Sequence, residues 1–144
     1  MKNDSKRHLL SLFVLVLFGL LAVGSIDTEE DTKKVQSQAP SYRLSANQLY
    51  SEYEANEVAA DSKYKGRVVV VSGTIQDIGK DIMDDAYIVI GGEGFLDGVQ
   101  CMFTKGQQSS VARLSKGQHV TVKGEVSGKM FGNVLVNKCT FGEF

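Results

Sequence analysis

The stretch "LSKGQHVTVKGEVSG", Leu114–Gly128, decides how the rest of the chain is read. Val120, Val122 and Val126 alternate with Thr121, Lys123 and Glu125, so an extended backbone would turn an apolar face one way and a polar face the other. Gly117 precedes the run at a turn and His119 opens it. This alternation predicts a half-buried β-strand.

Similar signals lie on both sides. On the C-terminal side, "NVLVNKCTF" from Asn133 reads as a further strand. On the other side lie "AYIVIGG" from Ala86 and "GVQCMF" from Gly98, the latter with Val99, Cys101 and Phe103 facing one way and Gln100 and Met102 the other. "RVVVVSGTIQDI", Arg67–Ile78, is the first strand of the set. Its Val68–Val71 leaves no polar face, so both sides should be covered, one by a barrel interior and one by the preceding helix. Gly73 is the expected bend of this long strand. Between the third and fourth strands, Val111 and Leu114 stand at helical spacing.

Five strands with one short helix between the third and fourth is the order of an OB-fold, a small Greek-key barrel. The expected class is therefore mainly β: a five-stranded OB-fold barrel with an N-terminal helix. That helix is read in "LSANQLYSEYEANEVAADSKYKG". Ser45 and Gln48 have capping-box spacing, Leu49, Tyr53, Asn56 and Ala60 share a face, and Gly66 ends the segment.

Residues 1–24 have a different character. Lys2, Lys6 and Arg7 precede an apolar run from Leu9 to Val23, whose 15 residues give about 22 Å of helix against a hydrocarbon core of roughly 30 Å. A signal peptide fits, with Ala22 and Gly24 before a cut ahead of Ser25; an uncleaved membrane anchor reaching Ile26 is the alternative. Either reading exports the remainder, to the periplasm or the extracytoplasmic face of the inner membrane. Residues 25–41, "SIDTEEDTKKVQSQAPS", are polar and without periodicity, and are expected as a linker to a domain spanning 42–144.

Leu49, Tyr53, Asn56, Ala60, Asp61, Tyr64, Lys65 and Gly66, then Val70, Gly73 and Ile78, then "VQCMF", "LSKGQHVTVKGEVSG" and Cys139 together resemble the exported bacterial OB-fold family called tRNA_anti-like. The resemblance spans about Leu44 to Phe141. It implies the barrel and export, and takes its name from likeness to anticodon-binding barrels.

Charge argues against a polyanionic ligand. Setting aside Lys2, Lys6, Arg7 and Asp4 leaves 13 basic and 16 acidic residues from Ser25 onward, a net charge of −3. Affinity for nucleic acid comes largely from clustered cations that release counterions. Lys105, Arg113, Lys116, Lys123 and Lys129 are the candidates for a patch, although solvated strand exteriors are the commoner explanation of such lysines. On the outer face of the second and third strands, where OB-folds hold single strands, the expected positions are Tyr87, Val89, Gln100 and Met102, and one tyrosine makes a thin stacking platform.

Cys101 shares a face with Val99 and Phe103, and Cys139 with Leu135 and Phe141, so both should point inward from paired strands. In an oxidising compartment they would join, and closing a loop of 37 intervening residues would stabilise the domain by about 3 to 4 kcal/mol. Buried free thiols are the alternative. No metal site or cofactor is expected from two cysteines without a nearby histidine.

Catalytic materials are sparse, and no enzyme is expected. His119 is the domain's single histidine, and Asp77, Asp81, Asp84 and Asp85 read as a solvated loop whose spacing matches no EF-hand. The turn "SGKMFGN", Ser127–Asn133, carries Met130 and Phe131 between glycines. They are expected either to fold back over the barrel end or to contact a protein or membrane. The candidate ligand-facing residues are therefore Tyr87, Gln100, Met102, Lys123, Lys129, Met130 and Phe131. The expected function is a binding module for an envelope protein or peptide, with single-stranded nucleic acid or a small ligand on the outer face as the alternative.

Overall fold

Each of the five expected strands forms, and a short sixth precedes them. The computed structural model describes residues 28–92 and 96–144; the export segment 1–24 and residues 25–27 of the expected linker lie outside them. In chain order the elements are α1 (Thr28–Ser37), β1 (Tyr42–Ser45), α2 (Ala46–Ala55), α3 (Glu57–Tyr64), β2 (Val68–Lys80), β3 (Ala86–Ile90), β4 (Val99–Phe103), a 3-10 turn (Lys105–Gln107), α4 (Gln108–Val111), β5 (His119–Met130) and β6 (Asn133–Phe141).

The strands pair in the order β2-β3-β4-β6-β5, and β5 returns to β2, which closes the barrel. Every pairing in the ring is antiparallel except β4 with β6. This is the OB-fold, its five strands being β2 to β6. The added strand β1 runs parallel to β2, from Tyr42 beside Val69 to Ser45 beside Ser72, where β2 has not yet reached β3.

The interior is filled by the side chains that alternation assigned to it. Val69, Val71, Ile75, Ile88, Ile90, Val99, Cys101, Phe103, Val120, Val122 and Val126 are all buried in one cluster. Leu49, Tyr53, Ala60 and Tyr64 from α2 and α3 join that cluster, each large side chain contributing about 1.5–3 kcal/mol by leaving water. The single helix expected over this region is two. Asn56, assigned above to an apolar face, is extended (φ −163°, ψ 97°) and breaks the run. Its side chain accepts from the Ala59 amide and so starts α3, while Ser45 accepts from the Gln48 amide and starts α2.

Gly73 lies just before β2 leaves β5 for β3, and it also permits a close approach. A Cβ there would stand 3.1 Å from the Ala46 Cβ and 3.2 Å from the Gly91 amide nitrogen, so the missing side chain lets the start of α2 approach the sheet.

Alternation fails in β6. Val134 and Val136 face the core, but so does Cys139, whereas Leu135, expected to share the Cys139 face, is only half-buried. The cause is a bulge: Lys138 adopts φ 55°, and the β5–β6 register slips between Lys123/Thr140 and Glu125/Asn137. One extra residue reverses which side chains point inward.

The expected linker is also partly structured. Within 25–41, Thr28–Ser37 is helical and packs against β5 and β6, burying Thr32 and Val35. Acidic Glu29, Glu30 and Asp31 in its first turn and Lys34 in its last suit the helix dipole. The helix α2 packs against β2, as expected of the element preceding the all-valine run, and α1 reaches the neighbouring β5. Val70 pairs with Lys123, and the Lys123 ammonium donates to the Gln36 carbonyl.

Candidate binding surfaces

Strand register sets two hairpin tips at opposite ends of the barrel. Tyr87 pairs with Met102, and Phe103 with Cys139, next to the β2–β3 turn; Ile90 pairs with Val99, and Val99 with Val134, next to the β5–β6 turn. Each tip carries exposed apolar side chains.

At the β5–β6 tip, Met130 is 54% and Phe131 88% exposed. The loop between Met130 and Asn133 has two residues, both with positive φ: Phe131 at 49° and Gly132 at 94°. A two-residue hairpin of this hand normally carries Asn-Gly or Asp-Gly. A phenylalanine held in the left-handed region costs about 1–2 kcal/mol, and such strain concentrates where function requires it. The expected folding-back of Met130 and Phe131 over the barrel end does not occur, because the turn directs the ring into solvent. Leu96 is the neighbour of the tip, its carbonyl oxygen 2.7 Å from where a Gly132 Cβ would stand, and it too is exposed. Lys129 at the base of the hairpin forms an ion pair with Glu54 and lies 5.9 Å from the Tyr50 ring centroid. That pairing holds the Glu54 carboxyl below its usual range and raises the Lys129 ammonium.

The outer face of β3 and β4 is more occupied than expected. Tyr87 lies across Gly79, its ring where a side chain there would stand, and its hydroxyl helps to hold the Asp77 carboxyl low. Val89, assigned to the outside, is buried. The Gln100 amide donates to the Met102 sulfur at 3.3 Å and accepts from Asn133 at 3.4 Å, while Asn133 accepts from the Gly98 amide. Met102 borders a groove of about 640 Å³ running from the β2–β3 turn to Lys105, Lys138 and Glu29.

Of the candidate cations for a patch, Lys116, Lys123 and Lys129 are held by partners within the chain. Lys123 is only 6% exposed, and besides Gln36 it meets the Phe144 ring at 5.5 Å. Lys116 pairs with Asp77 at 2.8 Å, and Lys129 with Glu54. Sequence alone could not assign these partners, since Lys123 alternates like any surface residue of its strand.

The acidic residues of the β2–β3 turn serve its geometry. Asp81 accepts from the amides of Met83 and Asp85 at 2.9 Å, and Asp84 pairs with Lys80 at 2.9 Å. Asp77 is held below the ordinary carboxylate range chiefly by Lys116. Among the described residues no group of three or more His, Cys, Asp or Glu is placed to hold a metal.

Cys101 and Cys139 both face inward and are fully buried, as expected, and stand as free thiols in the structure. Cys139 donates to the Val136 carbonyl at 3.2 Å. Burial, and then the adjacent Cys101 thiol, push the Cys139 thiol well above its usual value. The bulge at Lys138 decides how this sulfur enters the core.

The barrel and its hairpin tips define an OB-fold module. The chain belongs to the tRNA_anti-like family, whose model matches residues 1–140. Among solved structures it is similar to a "putative nucleic acid-binding lipoprotein" from Klebsiella pneumoniae subsp. pneumoniae MGH 78578, at 22% identity and a TM-score of 0.53 over 72% of this chain and 93% of that one. A weaker likeness is to the OBody AM3L09 bound to hen egg-white lysozyme, at 19% identity and a TM-score of 0.43 over 52% and 78% of the two chains. No curated protein matches. Among the described residues, no helix is long and apolar enough to cross a membrane.

Proposed function

We propose that this protein is a non-enzymatic binding module, exported to the periplasm or the extracytoplasmic face of the inner membrane, whose β5–β6 tip contacts an envelope protein or peptide. The observation that carries the reading is Phe131, an exposed aromatic in a left-handed conformation beside exposed Met130 and Leu96. An apolar ring on a rigid turn suits a pocket on a protein partner, where aromatic anchors dominate binding energy. Export is supported by the basic start and apolar run of residues 1–24.

A pull-down from native envelopes tests it. Wild-type protein should retain a discrete partner that a Met130→Asp, Phe131→Asp variant with an unchanged melting curve does not. Retention of the same partner by both proteins contradicts the assignment.

The groove beside Met102 supports a second reading, in which the outer face takes single-stranded nucleic acid or a small ligand. That reading requires retention of single-stranded DNA or RNA that weakens steeply with salt.

A further inference from the structure

We infer that the β2–β3 tip of the anchored protein rests against the lipid surface, leaving the Phe131 tip facing away from the bilayer. Ile82 and Met83 form this second apolar tip; Ile82 is fully exposed and Met83 is 70% exposed. The turn holds its shape through the Asp81 carboxylate, which accepts from two of its amides. Two bulky apolar side chains are thus presented to solvent at the end of the barrel opposite Phe131.

The occupant follows from where the chain enters the domain. Helix α1 is fixed to the barrel by buried Thr32 and Val35 and by the Lys123 bond to Gln36. Near its start, Glu29 borders the same groove as Asp81, Met83 and Asp85. The apolar run ends at Val23, six residues before Glu29, which is at most about 20 Å of extended chain. A run seated in the bilayer therefore brings the neighbourhood of Glu29, and Met83 with it, to the interface. Near the tip Lys80 pairs with Asp84, and Lys105 borders the same groove as Asp81 and Asp85, so anionic lipid offers no charge complementarity and contact comes from apolar insertion.

This inference rests on residues 1–24 being an anchor and is independent of which protein Phe131 meets. The full chain carrying Met83→Cys or Phe131→Cys is labelled with an environment-sensitive fluorophore, with the unsubstituted chain as control for labelling at the buried native thiols. Each is reconstituted into vesicles of phosphatidylcholine, alone or with phosphatidylglycerol, containing brominated lipid. Flotation with vesicles reports the anchor, and quenching reports the orientation. The expected result is flotation of both, with a blue shift and quenching at position 83 in both compositions and neither at 131. Failure to float overturns the anchor and the inference together. Flotation with quenching at 131 alone, at both positions or at neither overturns the orientation and leaves the anchor standing.

Discussion

The Lys123 ammonium donates a 2.7 Å hydrogen bond to the carbonyl oxygen of Gln36, joining the outer face of β5 to the end of α1. A buried cation needs such a partner, and an alanine at 123 would leave the α1 end without its tie to the sheet. Lys123→Ala is therefore expected to lower amide-exchange protection in Thr28–Ser37 while β2 to β5 keep theirs. Unchanged protection in α1 would show that the bond does not hold the helix.

Phe131 is expected to show opposed effects on stability and binding. Phe131→Asn gives the hairpin a residue suited to positive φ, and should stabilise the barrel by about 0.5–1 kcal/mol in urea unfolding. The same variant should lose the envelope partner. A destabilised variant would mean that the left-handed turn stores no strain.

Gly124 marks the tightest point beneath β6. A Cβ there would stand 2.7 Å from Val136 Cγ1, 2.8 Å from the Asn137 carbonyl oxygen and 2.8 Å from Cys139 Sγ. Gly124→Ala should destabilise by about 1–3 kcal/mol, measured by urea unfolding, because the neighbours are core and backbone that must shift.

Acid sensitivity should follow from Asp77. Its carboxyl is held low, mainly by Lys116, with burial opposing and the Ile78 amide and Tyr87 hydroxyl assisting. A depressed carboxylate contributes stability that is complete above the unfolded value of about 3.9 and is lost as pH falls through the lower folded value. Urea unfolding across this acid range should give a shallower loss for Asp77→Asn than for wild type, and parallel curves would contradict the pairing.

Cys101 and Cys139 should resist thiol reagents in the native state and react together after denaturation without reductant. A denatured protein with no reactive thiol would show that the two had joined.

The barrel was legible because period-two alternation survives wherever one face of a strand meets the core, as in Val120, Val122 and Val126. The helix α1 was not, since its polar sequence offers Val35 as its one large apolar anchor and the helix is held by a cation from another strand. The bulge at Lys138 and the break at Asn56 escaped for a related reason. Tertiary context decides both, and neither residue carries a glycine's signature. At the candidate site, the Met130–Phe131 turn stood out in sequence, but its direction depended on backbone angles that composition does not encode.

Site-specific photo-crosslinking in living cells tests the central claim most directly. With a photoreactive residue at position 131, the account predicts a discrete protein adduct, absent when the same residue is placed at Tyr87. No adduct at 131, or a nucleic-acid adduct at 87, would contradict it.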